Sequence, residues 1–341
     1  MIKLSFCNNF NSIYDELLLF LGISPKLSKN NDDIVKIDKN YDYDEMKNDI
    51  KELTKRYNFI EADVAGKSLL GKEIYYLKFG SGKKKIFYNG SHHGDDWITS
   101  LLLLKFIESF SQAYLENKRM GSYNTNNIFK TCTIYVLPMV NPDGVDLVIN
   151  GLKEENPYYE QLIKYNNGSL DFSSWSSNAR GVDIGRNYDA NWHKWKASEA
   201  REGVFGPKFR WYSGEFPESE PEAKAVANLI RKEDFDIVIS YHCNGKQIYY
   251  GHDDYNYQCK DIAVKMSKLS GYKLIDKEAN YEYSSLKYWF IKEFNKPSFK
   301  VKIGKSNDIS TFEEAYKENI RMLLHIPLLV NWEFTPGVKD Y

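Results

Sequence analysis

Cysteines are few in this sequence, and they form no pattern. Cys7, Cys132, Cys243 and Cys259 are scattered along 341 residues without a CxxC pair. That spacing predicts neither a disulfide framework nor a cysteine-based zinc site. An excess of charge is also missing, with 46 Lys and Arg against 47 Asp and Glu. A nucleic-acid-binding protein or a polybasic membrane reader would show a strong basic excess, so neither class is expected.

Long hydrophobic runs are absent as well. The longest apolar stretches, such as LLLFLGI over 17–23, are far shorter than the roughly 18–20 residues that span a bilayer. The opening MIKLSFCNNFNSIYDE lacks the charged, apolar and small-residue order of a signal peptide, so none is expected. The sequence therefore predicts a globular protein with a sizeable core, a cytoplasmic location and no membrane association. Nothing in the composition predicts an oligomeric state.

Strands and helices alternate after a preface of about 40 residues, which includes the polar linker SPKLSKNNDD over 24–33. Apolar runs predict strands at 72–80, 84–90, 133–144 and 235–242, and apolar residues at helical spacing predict helices near 97–114, 219–233 and 311–325. Strands that alternate with helices indicate an α/β fold whose largely parallel sheet is covered on both faces.

The segment 151–215 interrupts this alternation. It is irregular, aromatic and rich in Asn, Ser and Gly. A connection of this length inside a compact domain is usually functional, so we expect it to contribute to a site. Asp183 within it is expected to stabilise a turn, because Asx side chains bond nearby backbone.

Two histidine-bearing motifs follow predicted strands. His93 and Asp96 lie in SHHGDDW, and His242 lies in SYHCNG. Ligands of such sheets bind beyond the carboxyl ends of the strands. Two histidines and one carboxylate also leave the fourth position of a zinc ion open for water, as catalytic zinc sites require. The alternative is local, because Asp95 or Asp96 could cap the helix that follows.

The stretch KPSFKVKIGKS predicts a strand with an unusual face. Phe299, Val301 and Ile303 alternate with Lys300 and Lys302, so both lysines point to the same side. The first interpretation is an edge strand, in which solvated lysines prevent mispairing. The second interpretation, that this side faces a site, depends on the wider pattern of the chain.

That wider pattern resembles the zinc carboxypeptidase family. The matching segments run in order from about Tyr41 to Trp332, and they are GKSLLGKEIYYLKFG, FYNGSHHGDDWIT, VLPMVNPDGVDLVINGL, NARGVDIGRNYDANW, YSGEFPESEPEAKAV, ISYHCNG, WFIKEF and PSFKVKIGK. Within the family the chain is most similar to the bacterial subgroup of γ-D-glutamyl-L-diamino acid endopeptidases, which trim peptidoglycan stem peptides. The resemblance implies an N-terminal arm over 1–40, one domain over 41–333 and a tail over 334–341.

For that domain the resemblance implies a mixed, mostly parallel, twisted sheet of about eight strands flanked by helices. It implies zinc as cofactor, with His93, Asp96 and His242 as ligands, and a peptide or peptidoglycan-derived substrate. The grip on the substrate's terminal carboxylate falls to Arg186 in DIGRN, with Asn187 beside it, because a guanidinium fork matches a carboxylate.

Two further roles carry over less directly. Arg180 in NARG is the candidate for the arginine that stabilises the developing oxyanion, and a salt bridge near the site is its alternative. Tyr281 or Tyr283 is the candidate for the tyrosine that closes over substrate, and spacing does not choose between them.

Three positions depart from the family pattern. Asp96 replaces the usual glutamate ligand and is one methylene shorter. Gly185 replaces the asparagine that precedes the carboxylate-binding arginine. Lys302 stands at the position of the general base, a glutamate in the family. Loss of a general base typically costs about 10²–10⁴ in rate, and a cation there also weakens metal binding.

Lys302 therefore admits two interpretations. A desolvated, neutral lysine would act as the base, whereas an ammonium near Asp96 would replace the metal with an ion pair. Two functions stay open accordingly. One is a zinc peptidase that acts slowly on γ-D-Glu-diaminopimelate-type peptides. The other is a catalytically inactive relative that binds a peptide or a protein partner through the same cleft.

Overall fold

The computed structural model describes residues 25–27, 32–251, 256–276 and 283–329. Predictions for most of the N-terminal arm, for Tyr281 and for the tail over 334–341 concern residues outside this part of the chain. Its strands are β1 (Glu61–Lys67), β2 (Glu73–Gly80), β3 (Lys84–Gly90), β4 (Arg119–Met120), β5 (Tyr123–Asn124), β6 (Cys132–Leu137), β7 (Ile237–Cys243), β8 (Gln247–Tyr249), β9 (Lys273–Ile275) and β10 (Ser298–Ile303).

The helices of the described residues alternate with these strands along most of the chain. They are α1 (Tyr43–Arg56), α2 (Ile98–Leu115), α3 (Thr125–Thr131), α4 (Pro142–Asn150), α5 (Tyr159–Tyr165), α6 (Trp192–Glu199), α7 (Pro221–Glu233), α8 (Asn256–Ser270), α9 (Leu286–Phe294) and α10 (Phe312–Leu329). None of them is both long and apolar enough to cross a membrane.

Eight strands form one mixed sheet in the order β1-β2-β6-β3-β7-β10-β8-β9. The four central strands β6, β3, β7 and β10 run parallel to one another. The pairs β1-β2, β2-β6 and β10-β8 are antiparallel. The α/β prediction of one mixed, mostly parallel sheet flanked by helices is confirmed, and the carboxyl ends of the four central strands share one edge.

Strand β10 lies inside the sheet, so the edge-strand interpretation of its lysines is wrong. It pairs with β7 on one side and with β8 on the other. Phe299, Val301 and Ile303 are at most 1 % exposed and belong to the larger hydrophobic core. Lys300 and Lys302 therefore point to the opposite face of the sheet, because side chains alternate along a strand.

The two faces of the sheet carry separate cores. The larger core contains nearly all of the apolar residues of α2 and α10, which explains why α2 is apolar around most of its circumference. The smaller core packs α7 and α9 against the other face, together with Ile184 and Tyr188 from the irregular middle segment. The polar side chains of β7 and β10 also point to this second face, which places the candidate site there.

Candidate active site

The three predicted metal ligands meet at the carboxyl edge of two neighbouring strands. His93 follows β3, Asp96 ends the short 3-10 turn Gly94–Asp96, and His242 is the penultimate residue of β7. The turn fits because its first residue is glycine. A Cβ at Gly94 would lie 2.5 Å from the carbonyl oxygen of Gly144, so a larger residue would push the turn away from α4.

The ligand atoms converge on one point. Asp96 Oδ2 lies 2.9 Å from His93 Nδ1 and 2.8 Å from His242 Nδ1, and the two nitrogens are 3.4 Å apart. A tetrahedral zinc ion with bonds of about 2.0–2.1 Å holds its ligand atoms about 3.3 Å apart. Asp96 and His242 are buried, whereas His93 is half-buried. The donor set, the spacing and the one more open ligand therefore fit a zinc ion with a free coordination position.

The carboxylate of Asp96 does not cap a helix. Its Oδ1 accepts a hydrogen bond from the backbone N–H of Cys243 at 2.8 Å, and its Oδ2 faces the two histidines. Helix α2 begins with no side-chain cap. The helix-cap interpretation is wrong, because both oxygens of this side chain are committed to β7 and to the imidazoles.

Asp183 contacts the ring nitrogen of His93 that faces away from the metal position, and the sequence did not suggest this role. Its Oδ1 lies 3.1 Å from His93 Nε2, and its Oδ2 accepts a hydrogen bond from the backbone N–H of Trp211 at 3.1 Å. Metal-binding histidines usually donate their second ring N–H to a carboxylate, which fixes the tautomer and the ring orientation. The contact leaves Nδ1 of His93 directed at the metal position. The expected turn-stabilising role of Asp183 is incomplete, since its carboxylate also orients a ligand.

Charges of opposite sign hold the cluster together. Burial alone would raise the pKa of Asp96, but His93 and His242 hold it well below its usual value. Burial likewise opposes ionisation of Asp183, yet His93 and Arg186 lower its pKa to about 2. Burial would lower the pKa of His93, but Asp183 and Asp96 outweigh it and raise the pKa to about 10. A metal ion on Nδ1 of His93 would take the place of a proton facing Asp96, whereas the Nε2–H facing Asp183 would remain.

A cleft with about 420 Å³ of empty volume, part of it open to solvent, adjoins the cluster. Its described lining consists of His92, His93, Gly185, Arg186, Ser240, His242, Ser285, Leu286, Lys287 and Lys300. No carboxylate occurs among these described lining residues.

Arg186 lies in the cleft, beside the ligand cluster. Its guanidinium stacks on the ring of Trp195 at 3.8 Å from the centroid, and its Nε is 3.9 Å from Asp183 Oδ2. Stacking on an indole restrains a guanidinium while leaving its N–H edge for hydrogen bonds. The structure therefore brings the predicted carboxylate-binding arginine and the predicted metal ligands into one site.

The two lysines of β10 occupy different places on the site face. Lys300 pairs in register with Ser240 and lines the cleft, whereas Lys302 pairs in register with His242. A Cβ on Gly245 would lie 3.0 Å from the Cβ of Lys302, so the stem of Lys302 packs over that glycine.

Neither lysine takes the place of the metal. The ammonium groups of Lys300 and Lys302 lie 4.3 and 5.4 Å from the ring centroid of Tyr249. The Asp96 carboxylate makes polar contacts with His93, His242 and Cys243. The hypothesised Lys302–Asp96 ion pair is therefore wrong for this structure.

Two predicted site residues serve the scaffold instead. Arg180 donates to Glu220 Oε2 at 2.9 Å and is not among the residues that line the cleft. Its geometry fits the salt-bridge alternative rather than the oxyanion role. Asn187 is fully buried, and its Nδ2 donates to the carbonyl oxygen of Ser213 at 2.7 Å and to Ser219 Oγ at 3.0 Å. These bonds occupy its amide, so a substrate-binding role for Asn187 does not fit.

Only one of the two tyrosines predicted to close over substrate lies among the described residues. Tyr281 lies outside the described residues. The ring of Tyr283 packs beside Tyr288 at 6.1 Å between centroids, and Tyr283 is not among the described lining residues. Closure of Tyr283 over a substrate stays a prediction.

A mixed α/β sheet with a histidine–carboxylate cluster and a cleft containing Arg186 at its carboxyl edge has the arrangement of a metal-dependent enzyme domain. The model of the zinc carboxypeptidase family matches residues 46–322, and the chain belongs to that family.

Its relatives include bacterial and animal proteins. It is 35 % identical over 289 residues to γ-D-glutamyl-L-diamino acid endopeptidase 1 of Lysinibacillus sphaericus, covering 84 % of this chain and 72 % of that protein. Carboxypeptidase A from Helicoverpa armigera superposes with a TM-score of 0.66 at 18 % identity, over 93 % of this chain and 79 % of that one. Bovine thrombin-activatable fibrinolysis inhibitor gives a TM-score of 0.65 at 19 % identity, over 86 % and 98 % of the two chains. These two structures support the fold.

Proposed function

We propose that this protein binds zinc through His93, Asp96 and His242 and uses the adjoining cleft to bind peptides of the γ-D-glutamyl-diamino acid type. The convergence of the three ligand atoms, with Asp183 behind His93, carries the proposal. The endopeptidase of Lysinibacillus sphaericus supports this choice of peptide.

We assign a different role to each group of residues at the cleft. His93, Asp96 and His242 would hold the zinc ion, which would supply Lewis-acid polarisation of a carbonyl group and a lower pKa of bound water. Asp183 orients His93, and Arg186 binds a free carboxylate of the peptide in a bidentate manner. Lys302 pairs in register with His242 at the position where the family carries glutamate as the proton acceptor, so we expect hydrolysis to be slow.

Binding without hydrolysis is the second candidate function. The absence of a carboxylate from the described lining of the cleft favours it, because proton abstraction from water then has no obvious acceptor. Both candidates share the zinc and peptide-binding site, and they differ only in turnover.

Metal analysis of the purified protein tests the shared part of the proposal. We expect one zinc per chain after dialysis against metal-free buffer. A protein that holds no zinc under these conditions, and that takes up none when zinc is added back, would contradict the assigned ligand set.

Turnover separates the two candidates. Wild-type protein is incubated with L-Ala-γ-D-Glu-meso-diaminopimelate and the released products are measured by chromatography. We expect slow or no cleavage, and an increase of about 10²–10⁴ in Lys302→Glu, because that change supplies a base at the family position. Lys305→Glu, an exposed lysine on the following turn, makes the same change of charge outside the cleft and should have no effect. Rapid cleavage by wild type would refute the account of Lys302.

A further inference from the structure

Trp211, in the irregular segment beside the site, has a backbone conformation that side chains rarely adopt. Its φ angle is +74°, and among the described residues it is the one aromatic side chain with a positive φ angle. A bulky residue in this left-handed region is a clear outlier. Such outliers persist only where the surrounding structure holds them in place, and they cluster at functional sites. The contacts that hold Trp211 therefore indicate what its conformation does.

Both backbone groups of Trp211 bind residues of the site. Its N–H donates to Asp183 Oδ2 at 3.1 Å, and its carbonyl oxygen accepts a hydrogen bond from Trp195 Nε1 at 3.1 Å. Asp183 Oδ1 in turn lies 3.1 Å from His93 Nε2. The ring of Trp195 stacks on the guanidinium of Arg186, 3.8 Å from the ring centroid. One residue thus connects the carboxylate that faces a metal ligand with the indole that supports the carboxylate-binding arginine.

The positive φ angle of Trp211 is what allows both contacts. Trp195 is 1 % exposed and Asp183 is 2 % exposed, and a buried indole N–H and a buried carboxylate both need hydrogen-bond partners. Rotation about φ sets the angle between the N–H and the carbonyl group of a residue. An ordinary, negative φ angle would therefore direct one of these two groups of Trp211 away from its partner.

We propose that Trp211 is a positioning residue of the candidate active site. Its left-handed backbone fixes Asp183 relative to Trp195, and through them it sets the metal ligand His93 relative to Arg186. A peptide held by Arg186 reaches the metal position correctly only if this spacing is kept, and a misplacement of about 1 Å can cost about 10²-fold in rate. The inference rests on the proposed zinc and peptide-binding function, and its test separates the two.

Trp195→Phe tests the connection without changing a ligand. Phenylalanine keeps an aromatic ring beside Arg186 but has no N–H for the carbonyl oxygen of Trp211. We expect zinc affinity of the full-length protein, measured with a competing chelator, to fall by about three- to tenfold, less than the cost of losing the partner of a ligand itself. The absorption spectrum of the cobalt(II)-loaded protein should also change, because it reports the geometry of the ligands. A variant that only weakens the fold would keep the wild-type spectrum.

Trp192→Phe is the matched control. Trp192 lies on the same helix, α6, and its Nε1 donates to the carbonyl oxygen of Ser213 at 3.0 Å, in the same segment as Trp211. The N–H of Ser213 donates to Glu199 at 2.7 Å, so this variant loses an equivalent hydrogen bond away from the connection to Asp183. We expect it to bind zinc and cobalt(II) like wild type.

Two substitutions of Trp211 test the backbone conformation itself. Trp211→Gly and Trp211→Val both remove the indole, but glycine adopts a positive φ angle readily, whereas β-branched valine resists it. We expect zinc affinity in Trp211→Val to lie severalfold below that in Trp211→Gly.

Three results would overturn the role of Trp211 while leaving the proposed zinc site in place. They are wild-type affinity and spectrum in Trp195→Phe, equal losses in Trp195→Phe and Trp192→Phe, and equal affinities in Trp211→Gly and Trp211→Val. The comparison of Trp195→Phe with Trp192→Phe decides the matter if a variant of Trp211 does not fold. Failure of the wild-type protein to bind either metal would overturn the proposed function and this inference together.

Discussion

The cleft has two walls that differ in how their charges are arranged. The ligand wall, consisting of His93, Asp96, Asp183 and His242, alternates imidazoles with carboxylates at 2.8–3.1 Å. The lysine wall carries charge of one sign: Lys287 and Lys300 line the cleft, and Lys302 lies two residues beyond Lys300 on β10. The first arrangement is self-contained, because each charged group of the ligand wall touches its counterpart. The second arrangement has no carboxylate among the described residues that line the cleft.

The proposed metal ligands and the family's base position lie on separate elements of this fold. The ligand wall is built from the ends of β3 and β7 and from the middle segment, whereas the proposed base position lies on β10. A substitution on β10 therefore changes the chemistry of the cleft while the contacts among the ligands persist. The predictions below disturb first the ligand wall and then the lysine wall, from the largest expected effect to the smallest.

Removal of a ligand should have the largest effect. His242→Ala deletes one of three metal ligands and leaves Asp96, a buried carboxylate, with one imidazole fewer. Loss of a residue that only hydrogen-bonds to a metal ligand typically costs about 10–100-fold in metal affinity. We expect the loss of His242 itself to lower zinc affinity by more than this. Zinc titration with a competing chelator measures this. His193→Ala, at an exposed position of α6, should bind zinc like wild type, and an unchanged affinity in His242→Ala would refute the ligand assignment.

The second-largest effect is expected from Asp183, whose carboxylate contacts the ligand His93. Asp183→Asn keeps the size of the side chain but replaces the negative charge that faces His93 Nε2. We expect zinc affinity to fall by about 10–100-fold while circular dichroism shows an unchanged fold. The same competition assay measures the loss. If affinity stays within twofold of wild type, Asp183 is a turn residue only, as the sequence first suggested.

The contact between Asp183 and His93 could not be predicted from the sequence. The ligands are predictable because both histidine motifs follow recognisable strands and parallel strands end at one edge. Asp183 is not predictable in this way, because it contacts His93 from 90 positions further along an irregular segment. No periodicity describes such a segment, so only the folded chain shows which of its polar residues face the site.

The lysines of β10 illustrate a second limit. Period-2 alternation correctly places Lys300 and Lys302 on one face, and the family pattern singles out Lys302. Alternation cannot show that Lys300 is the one that lines the cleft, because residues two apart share a face but not a depth along the strand. The predicted substrate-binding role of Asn187 does not fit for a related reason. Its position next to Arg186 in the sequence does not show that its side-chain amide forms hydrogen bonds to the scaffold.

A smaller disturbance of the ligand wall tests how tightly His93 is held. A Cβ on Gly185 would lie 2.7 Å from His93 Nε2, so Gly185→Ala must displace the ring or the turn. We expect the free energy of unfolding to fall by about 1–3 kcal/mol and zinc affinity to fall by about tenfold. Urea denaturation and the chelator assay measure the two effects. Gly206→Ala is the matched control, because its Cβ would meet nothing within 4 Å.

The smallest expected effect concerns the lysine wall and has the opposite sign. Lys302→Gln removes a positive charge from the residue paired in register with His242, and less repulsion should strengthen zinc binding. Two unit charges about 4 Å apart interact by about 1 kcal/mol in water and about 4 kcal/mol near a protein surface, and the weak end of this range corresponds to about fivefold in affinity. Lys305→Gln should change nothing. The gain in Lys302→Gln should shrink as salt is raised, because mobile ions screen exposed charges. A gain that does not depend on salt, or no gain at all, would mean that the Lys302 ammonium does not act on the metal site, and the contrast between the two walls would then rest on Lys287 and Lys300 alone.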